Sequence, residues 1–391
     1  MSAMGEVHDG ALREAWLQRA RELAPLLRVE AAAVERAGTL TEPVLAALRE
    51  AGLFWANVPT DLGGGGADVV TALRIIEEMS RADGSIGWSL MANMTATSNA
   101  CAFLPPRAVE VMFGDGLPIV AGMLAPKGTA VPADGGFTIS GHFQFGSGIG
   151  HADWVCGGMF VREKGQVRRT ESGAPDIRGF YVPRSGAELR GNWDVLGLDG
   201  TGSFDYEILE QFVADDFGYT LNNPQPFRSE PSFQLGFMPL GTVGHGAVGI
   251  GIALRAFEEL TRIAYSKRRP GMPGILDQQL FLHDFAAKEA SLQAARSYFF
   301  ETVQAGLTSA METGTTSLLQ QHRMRQAITY ATMVAADVVR WCYTWAGSHS
   351  LRNPSPLGRC LRDISGATQH VLVDPNTLVA LAPDLLAHWQ A

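Results

Sequence analysis

The chain has 391 residues, of which 46 % are apolar and 18 % charged. That is enough for a large core divided over two or three structural regions, and it excludes a disordered polyelectrolyte. With 31 basic against 40 acidic residues the net charge is −9, and no basic cluster is longer than Lys267-Arg268-Arg269, so nucleic acid is not an expected partner.

No apolar run approaches the roughly 18 residues that span a bilayer, and residues 1–14 lack the apolar core of a secretory leader. Cys101, Cys156, Cys342 and Cys360 lie far apart without a CxxC pair. This argues against a disulfide framework and a metal site, and a reduced, cytoplasmic setting is expected.

Residues 14–37 repeat Ala, Leu and Val every three or four positions, the pattern of an amphipathic helix. Thr41-Glu42-Pro43 is a helix start, and Gly52 marks that helix's stop. Gly63-Gly64-Gly65-Gly66 is a turn, followed by helices over 68–79 and 86–103. Near Gly114 the texture changes, and strands are expected at 118–124, 136–145, 154–161, 179–182 and 204–212, with a polar loop over 163–176. Helical periodicity returns over 233–267, 278–307, 317–344 and 364–373. Strands segregated between helical blocks predict an α+β fold, not a doubly wound sheet. The expected division is an N-terminal helical domain (1–115), a middle β domain (116–218) and a C-terminal helical bundle (219–391).

Gly244-His245-Gly246-Ala247-Val248-Gly249 fits G-x-G-x-x-G, but helix lies on both sides, so close helix packing explains it better than a dinucleotide site. The nine histidines include no HExxH, and no G-x-S-x-G elbow is present. Two clusters carry more. In Phe145-Gly146-Ser147-Gly148-Ile149-Gly150-His151-Ala152-Asp153-Trp154 a strand ends in small residues and a Ser, where hydroxyl and N–H groups can meet a planar ligand. In Arg362-Asp363 followed by His370, seven residues separate the pair and the His, two turns along one helix face.

These clusters, with Ala51-Gly52-Leu53-Phe54, Asp83-Gly84-Ser85-Ile86-Gly87-Trp88, Val195-Leu196-Gly197-Leu198-Asp199-Gly200-Thr201-Gly202-Ser203 and Ala346-Gly347-Ser348, resemble the acyl-CoA dehydrogenase-like flavoproteins over nearly the whole chain. The resemblance implies the acyl-CoA dehydrogenase fold, with a barrel-like middle domain, and a homotetramer binding FMN or FAD. Where many such dehydrogenases carry a catalytic Glu, residues 364–370 contain no carboxylate and His370 falls near its place. This resembles the reductase-dependent two-component monooxygenases, which hydroxylate aromatic or heteroaromatic molecules through a C4a-hydroperoxyflavin.

By that resemblance His370 and Ser147 are the catalytic pair. Ser147 donates a hydrogen bond at the flavin edge, and His370, with an ordinary pKa of about 6.5, removes a substrate proton. Flavin contacts are implied for Phe145, Ser147, Gly148, Ser203 and Arg269 (or Lys267 and Arg268), and for Ala346, Gly347 and Ser348 of a neighbouring subunit. Trp88, Asn93, Trp193, Phe233, His245 and His370 are candidates for the substrate pocket. Several members of this branch carry a His on the helix after Gly87-Trp88; here either Asn93 or a Thr takes its hydrogen bond, or the substrate differs. The implied partners are O2, a small-molecule substrate and a flavin reductase, since no nicotinamide-binding unit is present. The competing readings are a dehydrogenase or oxidase acting on a thioester or nitroalkane with Asp363, Asp374 or Glu259 as base, and a non-enzymatic scaffold.

Overall fold

The computed structural model describes residues 3–266, 271 and 273–390, with side chains from Gly10 onward. Arg269, with Lys267 and Arg268, lies outside the described residues. Five helices come first: α1 (Ala3–Ala37), α2 (Glu42–Glu50), α3 (Val69–Ala82), α4 (Gly84–Phe103) and α5 (Pro106–Phe113). The Asp68 carboxylate caps α3 by accepting from the Thr71 N–H at 2.6 Å. Asp83 caps α4 in the same way, accepting from Ser85 and Ile86 N–H. Helix α4 is buried on all sides, which its Gly, Ser and Ala content permits.

The strands follow: β1 (Val120–Ala133), β2 (Gly136–Gly146), β3 (Trp154–Glu163), β4 (Gln166–Val167), β5 (Ile177–Pro183), β6 (Ala187–Gly191), β7 (Phe204–Ala214) and β8 (Gly218–Thr220). They form one mixed sheet in the order β6-β7-β2-β1-β3-β5-β8, with β4 on β3 and with β1 and β3 parallel. Strand β1 runs nine residues past its expected end. Pro126 and Gly128 look like breakers, but they sit at register shifts where a missing N–H costs no ladder bond. The short β6 and β8 were not anticipated, nor was β4 inside the polar segment expected as loop.

The bundle comprises α6 (Phe237–Thr242), α7 (Gly244–Ser266), α8 (Gln279–Thr313), α9 (Leu318–Ala346), α10 (Pro356–Ala367) and α11 (Asn376–Gln390). Gly236, at φ +95°, breaks the expected 233–267 helix ahead of α6. The stretch Phe237–Ser266 is apolar enough to cross a membrane by length and composition, but its apolar 18-residue window is 78 % buried within the protein. The G-x-G-x-x-G segment is the first turn of α7, where a Cβ at Gly246 would come 2.7 Å from the Phe299 ring. Close helix packing is therefore what that motif serves.

The three blocks are joined by buried charge. Arg359 on α10 meets Asp83 at 2.9 Å and Glu35 of α1 at 3.2 Å, and Arg362 pairs with the same Glu35. Asp363 accepts from the Leu198 N–H at 2.7 Å. Burial and the neighbouring Asp83 push the Asp363 carboxyl well above the usual carboxylate range. Removing Arg359 would leave the buried Asp83 carboxyl without its cation, while Glu35 would keep Arg362. Arg359→Met is expected to lose about 3–5 kcal/mol of unfolding free energy in urea titrations, and a loss below about 1 kcal/mol would contradict this role.

Candidate functional site

Four segments distant in sequence bring their side chains together. Trp88 lies on α4, His245 in the first turn of α7, His370 just beyond α10, and Ser147 in the turn after β2. The His245 and His370 rings are 4.3 Å apart at 35°. Trp88 meets both edge-on, with centroids at 5.2 Å from His245 and 5.7 Å from His370. On its other side the Trp88 indole N–H donates to Ser147 Oγ at 3.1 Å.

His370 is not on a helix. Helix α10 ends at Ala367, and His370 stands in the turn that opens the short helix Val371–Val373. There its Nδ1 accepts the Leu372 N–H at 3.3 Å. Burial, with the Arg325 charge, pushes its pKa down to about 4. The ring is neutral at pH 7, so its one proton sits on Nε2. This corrects the expectation of a base titrating near 6.5: the free nitrogen of His370 is a donor. His245 is the complement. Its Nδ1 faces the Thr242 carbonyl at 3.0 Å and must carry the proton, leaving a lone pair on Nε2. Burial first, then His370 and Arg325, push its pKa down to about 3. The pair thus offers one N–H and one acceptor, both uncharged.

The hydroxyls also have a direction. Thr201 Oγ1 lies 2.7 Å from the Leu198 carbonyl, which can only accept. The Thr201 proton goes there, so Ser203, at 2.7 Å, donates to Thr201, and Ser147, at 2.7 Å, donates to Ser203. Ser147 therefore receives the Trp88 N–H and keeps one lone pair. Its own proton is engaged inward, and it presents an acceptor where a donor was expected.

Around this core, Phe145 is 54 % exposed and holds φ +62°, with its ring edge-on to Trp193 at 6.3 Å. The Trp193 indole N–H donates to the Leu198 and Asp199 carbonyls. Gly148, at φ +69°, donates its N–H to the Thr201 carbonyl, and a Cβ there would come 2.3 Å from the Asn93 amide oxygen. Asn93 is fully buried beneath this turn. Its amide donates to the Val120 carbonyl and its oxygen faces His151 Nε2 at 3.0 Å. Both ends of Asn93 are held by the frame, which corrects its placement in the substrate pocket. Phe233 is buried in the cluster under α4 and α5.

Other candidates are not brought here. Ala346, Gly347 and Ser348 close the far end of α9, about 30 Å along the helix from Arg325. Among the carboxylates, Asp363 holds the Leu198 N–H, Glu259 is paired with Arg255 and Arg262, and Asp374 accepts from the Asn376 N–H. None of the three meets the Trp88–His245–His370 rings. Sequence reasoning missed Thr201, Thr242, His151 and Arg325. Thr201 and His151 carried a signal, lying within the quoted Val195–Ser203 and Phe145–Trp154 motifs, whereas Thr242 and Arg325 carried none.

Comparison with known proteins fits this architecture. Residues 13–103 match the acyl-CoA dehydrogenase N-terminal domain and 243–375 the acyl-CoA dehydrogenase C-terminal domain. An indole-3-acetate monooxygenase of Pseudomonas putida is 30 % identical over 346 residues, covering 88 % of this chain and 86 % of that protein. The flavin-dependent monooxygenase oxygenase subunit HsaA of Rhodococcus jostii is 25 % identical over 372 residues, covering 92 % and 95 %. XiaF from a Streptomyces species, solved with FADH2 and glycerol, shares the fold at a TM-score of 0.85 and 21 % identity, covering 96 % of each chain. With 30 % identity to the Pseudomonas putida enzyme over most of both chains, and both acyl-CoA dehydrogenase domains matched, the chain belongs to the flavin-dependent monooxygenases built on the acyl-CoA dehydrogenase fold.

Proposed function

We propose that this protein is the oxygenase component of a two-component system, hydroxylating an aromatic or heteroaromatic small molecule with O2 and reduced flavin from a separate reductase. The names of its relatives, an indole-3-acetate monooxygenase and an oxygenase subunit, support the substrate class and the reductase. The observation that carries the reading is the neutral histidine pair beside Ser147, with none of the candidate carboxylates among those rings. A dehydrogenase acting on a thioester needs such a carboxylate as base.

The site fits a flavin. Exposed Phe145 and the Ser147 lone pair are a face and an acceptor that the protein leaves open. When bound, reduced flavin supplies the two electrons that let one atom of O2 enter the substrate and the other leave as water. Ser147, Gly148 and Phe145 would hold it, with Ser203 acting through Ser147. Reduced flavin carries a hydrogen at N5 and the oxidised form does not, so an acceptor at Ser147 favours the reduced form. Trp88 walls the pocket and keeps it dry. His370 Nε2–H steadies developing negative charge on oxygen, and His245 Nε2 receives the substrate proton. His245 also stands in for the His absent from the helix after Gly87-Trp88. The chain acts as a homo-oligomer in which the Ala346–Gly347–Ser348 turn serves a neighbour's flavin; exposed Val379, Leu386 and Trp389 on α11 supply apolar surface for assembly.

Turnover tests the reading. With a reductase, the protein is expected to yield hydroxylated product, and rapid NADH oxidation by the chain alone would refute the two-component assignment. His370→Ala is expected to bind reduced flavin normally but release H2O2 in place of most product. Equal loss of flavin binding would make His370 structural. Thr201→Val removes the inward sink for protons and lets Ser147 turn outward as a donor. Oxidised flavin should then bind several-fold more tightly relative to reduced flavin in anaerobic fluorescence titrations, whereas an unchanged ratio would mean the hydroxyl order has no such effect.

Stability should also follow pH. His151, whose pKa burial pushes down to about 4, joins His245 and His370 in staying neutral when folded. Below about pH 6.5 the unfolded chain takes protons that the folded one refuses, so stability falls as pH drops from about 6.5 to about 4. In melting curves across that window His151→Gln should flatten the slope; an identical slope in the two proteins would argue that His151 is not buried in its neutral form.

A further inference from the structure

We propose that Arg325 on α9 is the receptor for a carboxylate carried by the aromatic substrate, so that the natural substrate is an aromatic acid rather than a neutral arene. This rests on the functional reading above and deepens it.

Arg325 is half-buried, and its Nε is out of contact with solvent and has no hydrogen-bond partner. Among the described residues no carboxylate forms an ion pair with it. Several other buried or half-buried arginines are matched: Arg255 with Glu259, Arg296 with Glu77, and Arg359 with Asp83 and Glu35. Arg74 and Arg178 lie over the rings of Phe300 and Phe137. Arg325 has neither kind of partner. One turn away on either side, Gln321 is held by Thr316 at 3.2 Å and Thr329 by Thr377 at 2.8 Å, so its α9 neighbours are engaged elsewhere.

Its place points to the histidine pair. Helix α9 packs against α6, whose last residue Thr242 holds His245, and against the Val371–Val373 turn that His370 opens. The Arg325 charge acts on both imidazoles, and burial alone, with no carboxylate opposing it, pulls down its own pKa. An unpaired cation acting on two neutral imidazoles is the natural receptor for an anion. The planar guanidinium matches a carboxylate in two parallel hydrogen bonds. A substrate ring against Trp88 and the imidazoles, with an acidic side arm reaching Arg325, satisfies every group. A flavin phosphate is the other anion with the right chemistry, and the experiment separates the two.

Protein loaded with reduced flavin is titrated anaerobically, by calorimetry, with matched pairs: indole-3-acetate against 3-methylindole, and 4-hydroxyphenylacetate against 4-methylphenol. At least one acid should bind about tenfold or more tightly than its neutral partner, the scale of a charged hydrogen bond. Arg325→Gln should erase that preference while leaving the neutral compound's affinity within about twofold, and Arg325→Lys should restore part of it. The unchanged neutral affinity doubles as proof of an intact pocket. The proposal is overturned if the wild type binds each pair alike, or if Arg325→Gln weakens both members equally. It is also overturned if Arg325→Gln weakens FMN but spares riboflavin, which would assign Arg325 to the phosphate. Hydroxylation of the neutral compounds without acid preference would sink this inference alone. Failure of every aromatic to bind or react would sink the functional reading and this inference with it.

Discussion

The peptide group of Leu198 is the point on which the site depends. Leu198 holds φ +62°, a left-handed conformation that costs a branched residue about 1–2 kcal/mol. It is held by bonds on both sides of the residue. The N–H is taken by the buried Asp363, and the carbonyl receives Thr201 Oγ1, the Thr201 N–H and the Trp193 indole. The Asp363 contact ties this loop to α10 and, through Arg359, to α1 and α4. The carbonyl fixes the order of the hydroxyls, since an acceptor with no proton of its own decides which way Thr201, Ser203 and Ser147 must point. A strained backbone residue is therefore what converts the charge network of the helices into the polarity of one exposed oxygen.

The histidines follow the same logic by a different force. Placed among Trp88, Thr242 and each other, the His245 and His370 rings lose their hydration, and burial makes the charged form costly. Arg325 adds repulsion of the same sign. What remains is a pair of neutral rings whose outer nitrogens differ only because their inner nitrogens meet different backbone groups, a carbonyl for one and an N–H for the other. Such a pair moves protons without building net charge in the pocket.

Much of the fold was legible in the sequence because it is written in local composition. Gly- and Pro-punctuated apolar runs separate the strands from helices on both sides, and Thr41-Glu42-Pro43 announces the start of α2. Strand β1 was cut short because Pro126 is a breaker in general and harmless at a bulge. The site was legible only in part. His370 and Ser147 stand in recognisable motifs, but the approach of His245 to His370 joins residues 125 positions apart. The polarity of Ser147 depends on a carbonyl five residues before Ser203 and on a left-handed Leu that no composition rule foretells. Arg325 lies in the polar run Gln320-Gln321-His322-Arg323-Met324-Arg325-Gln326, which reads as a solvated helix face. Nothing in that run marks Arg325 as the cation whose Nε is buried without a partner.

The ending of α10 before His370 has a chemical consequence. On a helix, the ring of residue 370 would stand free of the backbone ahead of it, and either ring nitrogen could carry the proton. In the turn, the chain folds back so that the N–H of Leu372 meets Nδ1 of the residue two before it, and the tautomer is set by a bond within three residues. The turn is in turn fixed by its surroundings: Val373 is buried, and Asp374 accepts from the Asn376 N–H. A carboxylate in that turn would be pressed by the same Leu372 N–H and by Arg325 toward its charged form, whereas the imidazole is pressed toward its neutral one. The same backbone would therefore support a base with one side chain and a hydrogen-bond donor with the other. The identity of residue 370, read together with the turn that holds it, is what selects between removing a proton from carbon and steadying charge on oxygen.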